Sequence, residues 1–171
     1  FNQHPEVKLV IAPHVIDENH LVEIIRKLKR PYVRYTRADE KNVRKADCLI
    51  IDCFGLLSSI YRYGEIAYIG GGFGVGIHNT LEAAVYGIPV IFGPKYQKFQ
   101  EAIQLLEAKG AFSVKDYEEL KTLLDRMLTD EVFLRESGMN ASNYVTGNAG
   151  ATDKIMSMIN LSLIHISEPT R

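Results

Sequence analysis

The sequence predicts an α/β fold, a Rossmann-like parallel sheet flanked by helices, and three observations carry that reading. Short apolar runs alternate with stretches of helical periodicity for most of the length, which is the pattern of successive βαβ units. Stop signals, among them Pro13, Pro31, Gly87 and Gly110, fall at the joints between the two kinds of segment. With 171 residues, 46% of them hydrophobic, the chain has the size of one ordinary domain and enough apolar surface to bury a core.

In order, Val7 to Ala12 reads as a strand stopped by Pro13, and Asp17 to Leu28 as a helix with Leu21, Ile24, Ile25 and Leu28 on one face. Pro31 ends that helix. Tyr32 to Tyr35 is a weak strand, Thr36 to Lys45 a charged loop, and Asp47 to Asp52 a strongly apolar strand. A short helix over Leu56 to Tyr63 leads to a strand over Ile66 to Gly70, a glycine-rich loop, and a helix over Asn79 to Tyr86. The next strand is Pro89 to Gly93. Lys98 to Lys109 is amphipathic and stops at Gly110, whose freedom to take a positive φ suits the position after a helix. Ala111 to Val114 is a short last strand, and helices over Asp116 to Leu128, Asp130 to Tyr144 and Ala151 to Asn160 follow.

Composition narrows the function classes. Twenty Lys and Arg stand against 21 Asp and Glu, and a net charge of -1 gives no global electrostatic reason to expect a nucleic acid or a membrane surface as partner. The basic groups Arg26-Lys27-Lys29-Arg30 and Arg34-Arg37 read as solvated helix ends and loops. Cys48 and Cys53 lie too close along one strand to bridge, so both are expected reduced, as in the cytoplasm. No apolar run approaches the length of a membrane span, and no secretory signal is expected. The absence of an initiator Met and the early first strand suggest a missing upstream part. The run Leu161 to Arg171 resembles translated adapter or vector sequence, so residues 1–160 are expected to form the domain and 161–171 a non-native tail.

The most informative stretch runs from Ile69 to Ala84, where an apolar strand enters a glycine-rich loop that opens a helix. Bare backbone N–H groups and a helix N-terminus there offer a place for a phosphate. The spacing of Gly70, Gly71, Gly72, Gly74 and Gly76 fits neither the dinucleotide fingerprint nor a Walker A loop. As a mere turn, so many glycines carry a large entropic cost unless something uses their openness. Asn79 as N-cap and Glu82 at the N3 position form a capping-box-like pair, and Glu82 also stands where a carboxylate could accept hydrogen bonds from sugar hydroxyls. His78 precedes the cap. Gly93 to Gln97, Pro13-His14 and Phe54-Gly55-Leu56 all follow strands, at the carboxyl edge where open α/β sheets bind ligands. Ser58 and Ser59 show no His and Asp partners, and neither the five histidines nor the two cysteines have metal-ligand spacing. The residues describe a binder of something phosphorylated.

Four motifs, Asp52-x-x-Gly55, Tyr68-Ile69-Gly70-Gly71-Gly72, His78-Asn79-x-Leu81-Glu82-Ala83-Ala84 and Gly87-x-Pro89-Val90-x-Phe92-Gly93-Pro94, resemble the 3-deoxy-D-manno-octulosonic acid (Kdo) transferases of lipopolysaccharide assembly. The likeness runs from about Val7 to Asn160 and is densest between Asp52 and Phe99. It implies the carboxyl-terminal half of a GT-B glycosyltransferase, the half that binds the donor CMP-Kdo. The acceptor site for the lipid A precursor (lipid IV-A), the general base and a membrane anchor at the cytoplasmic face of the bacterial inner membrane would then lie in the other half. No catalytic residue, metal or further cofactor is implied here, and this chain alone is expected to be inactive. By the same resemblance Asn79, Thr80, Leu81 and Glu82 contact CMP, with Glu82 on the ribose and the helix N-terminus near the phosphate, and Gly71, Gly72 and His78 are expected among the donor-binding residues. Pro13-His14 matches the family's Pro-Arg-His turn without the Arg. Gly55-Leu56 stands where the family has Gly-Glu, so Phe54, Gly55 and Leu56 would contribute backbone contacts. A UDP-sugar transferase or sugar-nucleotide epimerase of the same fold, and a non-catalytic interaction module, are the alternatives.

Overall fold

The two strongest apolar runs each become the central strand of a three-stranded parallel sheet. The computed structural model describes residues 1–74, 76–150, 155, 156, 158 and 159, and divides the chain into two compact units, Phe1–Ile60 and Tyr61–Arg171. Most of the helix expected over Ala151 to Asn160, and all of the tail 161–171, lie outside the described residues.

The first unit runs β1 (Leu9–Ile11), α1 (Glu18–Lys27), β2 (Tyr32–Arg34), α2 (Glu40–Val43), β3 (Cys48–Ile50) and α3 (Leu57–Ile60). Its sheet order is β1-β3-β2, with Cys48 paired to both Leu9 and Tyr32. β3 takes the centre because it is the strand that can be buried, as Cys48 and Ile50 are. Asp17 caps α1 by accepting the His20 N–H at 3.0 Å. The helix then lays Leu21 against Cys48 and Ile50, with Ile24, Ile25 and Leu28 alongside, and burying Leu21 contributes about 2 kcal/mol. Burial also pushes the Cys48 thiol up to about 11, and both cysteines are free thiols.

Two expectations for this unit need correction. Thr36 to Lys45 is not a plain loop: a 3-10 turn at Tyr35–Arg37 precedes α2, which is closed by an Asp39–Asn42 capping box. Asp39 accepts the Lys41 and Asn42 N–H groups at 2.8 Å, and Asn42 accepts the Asp39 N–H at 2.8 Å. The box uses Asn where the usual signature has Glu or Gln, and so charged a segment shows no apolar period. Nor are Arg30 and Arg34 solvated. Asp47 and Asp52 flank β3 at its two ends, and each carboxylate is met by one of these arginines. Arg30 also donates to the carbonyls of Phe1, His4 and Pro5, and lies over the Phe1 ring.

The second unit begins with a 3-10 turn at Tyr61–Tyr63, followed by β4 (Ala67–Tyr68), α4 (Leu81–Ala84) and β5 (Val90–Phe92). It continues through α5 (Gln100–Glu107), β6 (Ala111–Ser113), α6 (Tyr117–Thr129) and α7 (Glu131–Asn148). The order β4-β5-β6 puts the fully buried β5 in the middle. Strand alternation sends Val90 and Phe92 into one apolar cluster, with Ala83, Ala84, Leu105 and Ala141, and Ile91 into another, with Val114 and Met127. α7 serves both: Phe133 and Leu134 pack on the Ile91 side, Ala141 and Val145 on the Val90 side. Asp116 and Asp130 cap α6 and α7 by accepting the Glu119 and Phe133 N–H groups, each at 2.9 Å.

The role expected of Gly110 is also revised. The residue with positive φ after α5 is Lys109, at 59°. Gly110 is needed for a different reason, since a Cβ there would stand 2.6 Å from the Ala141 backbone, closer than any real contact. The glycine lets α7 approach the entry to β6.

Candidate functional site

The glycine loop leaves β4 and folds back on itself, with Gly71 bridged to Ile77 and the His78 N–H donating to the Gly70 carbonyl at 3.3 Å. Gly71 and Gly72 take φ of 92° and 81°, which other residues reach only with strain. Much of the glycine content is used inside the protein. A Cβ on Gly72 would stand 2.8 Å from the Gly93 backbone at the exit of β5, and one on Gly76 would stand 2.5 Å from the Phe99 ring. Gly74, by contrast, faces open space. The loop is therefore a strapped turn seated on the next strand's exit, and its openness to a ligand is narrower than five glycines imply.

α4 starts one residue later than the spacing suggests. Thr80, not Asn79, is the N-cap, so Glu82 is the second helical residue and the expected capping box does not form. Asn79 instead accepts the Leu81 N–H at 3.0 Å through Oδ1 and donates from Nδ2 to Glu82 Oε1 at 3.0 Å. The half-buried carboxylate is thus aimed by its neighbour, and Oε2 carries no hydrogen bond among the described residues. Burial and then the Glu82 charge raise the pKa of the nearby Tyr61 phenol. Thr80 is 1% exposed, and its hydroxyl is a buried polar atom without a hydrogen-bond partner among the described residues. Its φ and ψ of -87° and -26° are helical rather than extended, which swings Oγ1 away from the N–H groups a capping Thr usually reaches.

Lys95 belongs to the same neighbourhood, where sequence reasoning marked the strand exit but singled out no side chain. It follows Gly93-Pro94; its backbone N–H donates to the Gly72 carbonyl at 2.9 Å and its Nζ to the Gly74 carbonyl at 3.2 Å. β4 and β5 are adjacent and parallel, which sets Gly70–Gly72 and Gly93–Lys95 on one carboxyl edge.

In the first unit, Pro13-His14 and Phe54-Gly55-Leu56 likewise follow the adjacent strands β1 and β3 and share that sheet's carboxyl edge. Phe54 is 83% exposed and Gly55 has φ 87°. Just upstream, Asp52 accepts the Thr36 hydroxyl at 2.6 Å, the Thr36 N–H at 2.9 Å and Arg34 Nε at 2.8 Å. Arg34 also donates to both oxygens of Glu18, at 2.8 and 2.9 Å. Burial alone would raise the Asp52 carboxyl, but the Thr36 and Arg34 bonds outweigh it and hold the pKa at about 2. The sequence showed Asp52 only as part of a motif; its partners come from β2 and the turn after it.

Two open depressions lie elsewhere. One of about 450 Å³ is bounded by α1, β2 and Asn42 in the first unit, and one of about 600 Å³ by α6, β6 and the end of α5 in the second. Neither includes a residue of the expected site. Among the described residues no group of three His, Cys, Asp or Glu could hold a metal ion.

No protein-family model matches the chain. Over 128 residues, 74% of its length, it is 36% identical to a 3-deoxy-D-manno-octulosonic acid transferase from Aquifex aeolicus. A transferase of the same name from Rickettsia bellii is 32% identical over 66% of the chain. Over most of its own length the chain resembles the Kdo transferases. It spans 35% and 28% of those two relatives. A bifunctional glycosyltransferase/methyltransferase from Fusobacterium nucleatum is also similar to this chain, 30% identical over 80% of the chain and 23% of that protein. The fold matches the C-terminal CMP-Kdo binding domain of WaaA from Acinetobacter baumannii, with a TM-score of 0.66 over 84% of this chain and 92% of that one, at 16% identity. That match confirms the α/β, Rossmann-like GT-B half expected from the sequence.

Proposed function

We propose that this chain is the donor-binding part of a Kdo transferase, holding CMP-Kdo while a hydroxyl of a lipid A precursor displaces CMP from the anomeric carbon. The observation that carries the reading is the Glu82 carboxylate, held by Asn79 at 3.0 Å with its second oxygen open, beside a glycine loop at a parallel sheet's carboxyl edge. One fixed carboxylate oxygen suits a ribose diol, which donates two hydroxyl hydrogen bonds. The relatives' shared name supplies the reaction class. The protein's part in the chemistry would be to orient the donor and to stabilise the leaving phosphate.

Thr80 and Leu81 complete the nucleotide contacts on this reading. α4 has only four helical residues, so its dipole adds little, and loop N–H groups with a nearby cation must meet the phosphate. No helix among the described residues is long and apolar enough to cross a membrane. Any attachment at the cytoplasmic face of the inner membrane, and the lipid acceptor site, would lie in other parts of the protein.

Calorimetric titration with CMP and with UDP tests the proposal. CMP should bind and UDP should bind at least tenfold more weakly; a preference for UDP, or no binding of either, overturns it. This chain alone should not transfer Kdo to lipid IV-A, and detectable transfer would refute that part.

A further inference from the structure

We infer that Lys95 is the positioning cation that meets the donor's phosphate at the glycine loop; the inference rests on the donor-binding reading above. Lys95 is fixed on the loop at both ends of the residue, by its N–H on the Gly72 carbonyl at 2.9 Å and by Nζ on the Gly74 carbonyl at 3.2 Å. Backbone oxygens are neutral partners. The ion pairs formed by other lysines, Lys8 with Asp47, Lys115 with Glu119 and Lys121 with Asp125, have no counterpart at Lys95 among the described residues. An ammonium has three donors, and the Gly74 carbonyl occupies one. The result is a full positive charge held at the loop and left without a carboxylate.

The rest of the loop leaves a charge to be supplied. Gly72 and Gly76 are taken up in contacts with Gly93 and Phe99, so the backbone cradle is only partly free. α4 is too short to add a useful dipole. Glu82, in the first turn of the helix that follows the loop, adds a negative charge that a phosphate would otherwise meet uncompensated. Lys95 offers the compensation as a point charge on a flexible stem, which suits a phosphate without demanding bidentate geometry. On donor binding, Nζ would keep or exchange its Gly74 bond while turning its other donors to the phosphate oxygens.

The test compares wild type, Lys95→Met and Lys95→Arg by titration with CMP at low and high salt, and with cytidine, which lacks the phosphate. Wild-type affinity for CMP should fall several-fold as salt rises, a readout that needs no mutation. Lys95→Met should lose at least tenfold in CMP affinity and most of the salt dependence while binding cytidine as wild type does, and Lys95→Arg should recover most of the loss. Equal CMP affinity in wild type and Lys95→Met, or salt-independent binding by wild type, overturns the inference while leaving the donor-binding reading intact. So does an equal loss of CMP and cytidine in Lys95→Met, which would make Lys95 a prop for the loop. Wild type binding neither ligand overturns both readings at once.

Discussion

The carboxyl edges of the two sheets are built from similar parts and left in opposite states. In the first unit Asp52 is surrounded: Thr36 supplies two hydrogen bonds, Arg34 a third, and Arg34 is itself held by Glu18. In the second, Thr80 keeps a buried hydroxyl without a partner, Glu82 has an open oxygen, and Lys95 rests on a carbonyl. Buried polar groups are almost always satisfied within the native structure. A closed network therefore reads as structure, and a place where several groups stay open reads as a place for something else to bind.

The comparison can be broken at four points, from the largest expected effect to the smallest. Gly72→Ala puts a Cβ 2.8 Å from the Gly93 backbone at a φ of 81°, and should cost more than about 3 kcal/mol in urea unfolding. A variant as stable as wild type would show that the loop is not strapped as described. Asp52→Asn removes a buried charge from three hydrogen bonds and should cost roughly 2–3 kcal/mol.

The pH dependence of that second variant has a definite sign. The Asp52 carboxyl is held at about 2 in the folded protein, below its unfolded value, so its stabilisation is present above about pH 4 and disappears as pH falls towards 2. Wild type should lose stability across that interval, and Asp52→Asn should lose less. Parallel acid curves for the two proteins would contradict the assigned network.

At the open edge the effects should appear in binding rather than folding. Glu82→Gln should lower CMP affinity about tenfold, worth about 1.4 kcal/mol, while changing the unfolding free energy by less than about 1 kcal/mol. A stability loss with affinity unchanged would leave Glu82 only a structural role, as the partner of Asn79. Thr80→Val replaces an unpartnered hydroxyl by a methyl of similar shape and should change stability by less than about 1 kcal/mol, in the favourable direction. A clear destabilisation would mean that the hydroxyl has a partner after all.

What was legible in the sequence was local or periodic. The strands centred on Ile50 and Ile91 declare themselves as apolar runs, and Asp17, Asp116 and Asp130 mark helix starts because a cap acts within three residues. The site was legible as a place, the glycine loop and the His78–Glu82 segment, because glycine density and the motifs are local as well. Its inner arrangement was not. The one-residue shift that makes Thr80 the cap depends on how the loop is strapped to Gly93 and Phe99, 20 or more residues away in sequence. Arg30 and Arg34 looked solvated because their partners, Asp47 and Asp52, become neighbours only when β2 pairs with β3. Gly110 was given the wrong reason for the same cause, since the helix that needs its missing side chain lies 31 residues on, at Ala141.

The position of α7 against both faces of the second sheet has a consequence for synthesis. The first unit has all its strands once Ile50 has been made, so its core can close early on an emerging chain. The second cannot. Phe133 and Leu134 complete one side of β5 and Ala141 and Val145 the other, so Val90, Ile91 and Phe92 stay incompletely covered until more than fifty further residues have left the ribosome. A nascent chain arrested before α7 should show a formed first unit and a sticky, protease-sensitive second one, and the interval before α7 emerges is a window in which the second unit is exposed to aggregation.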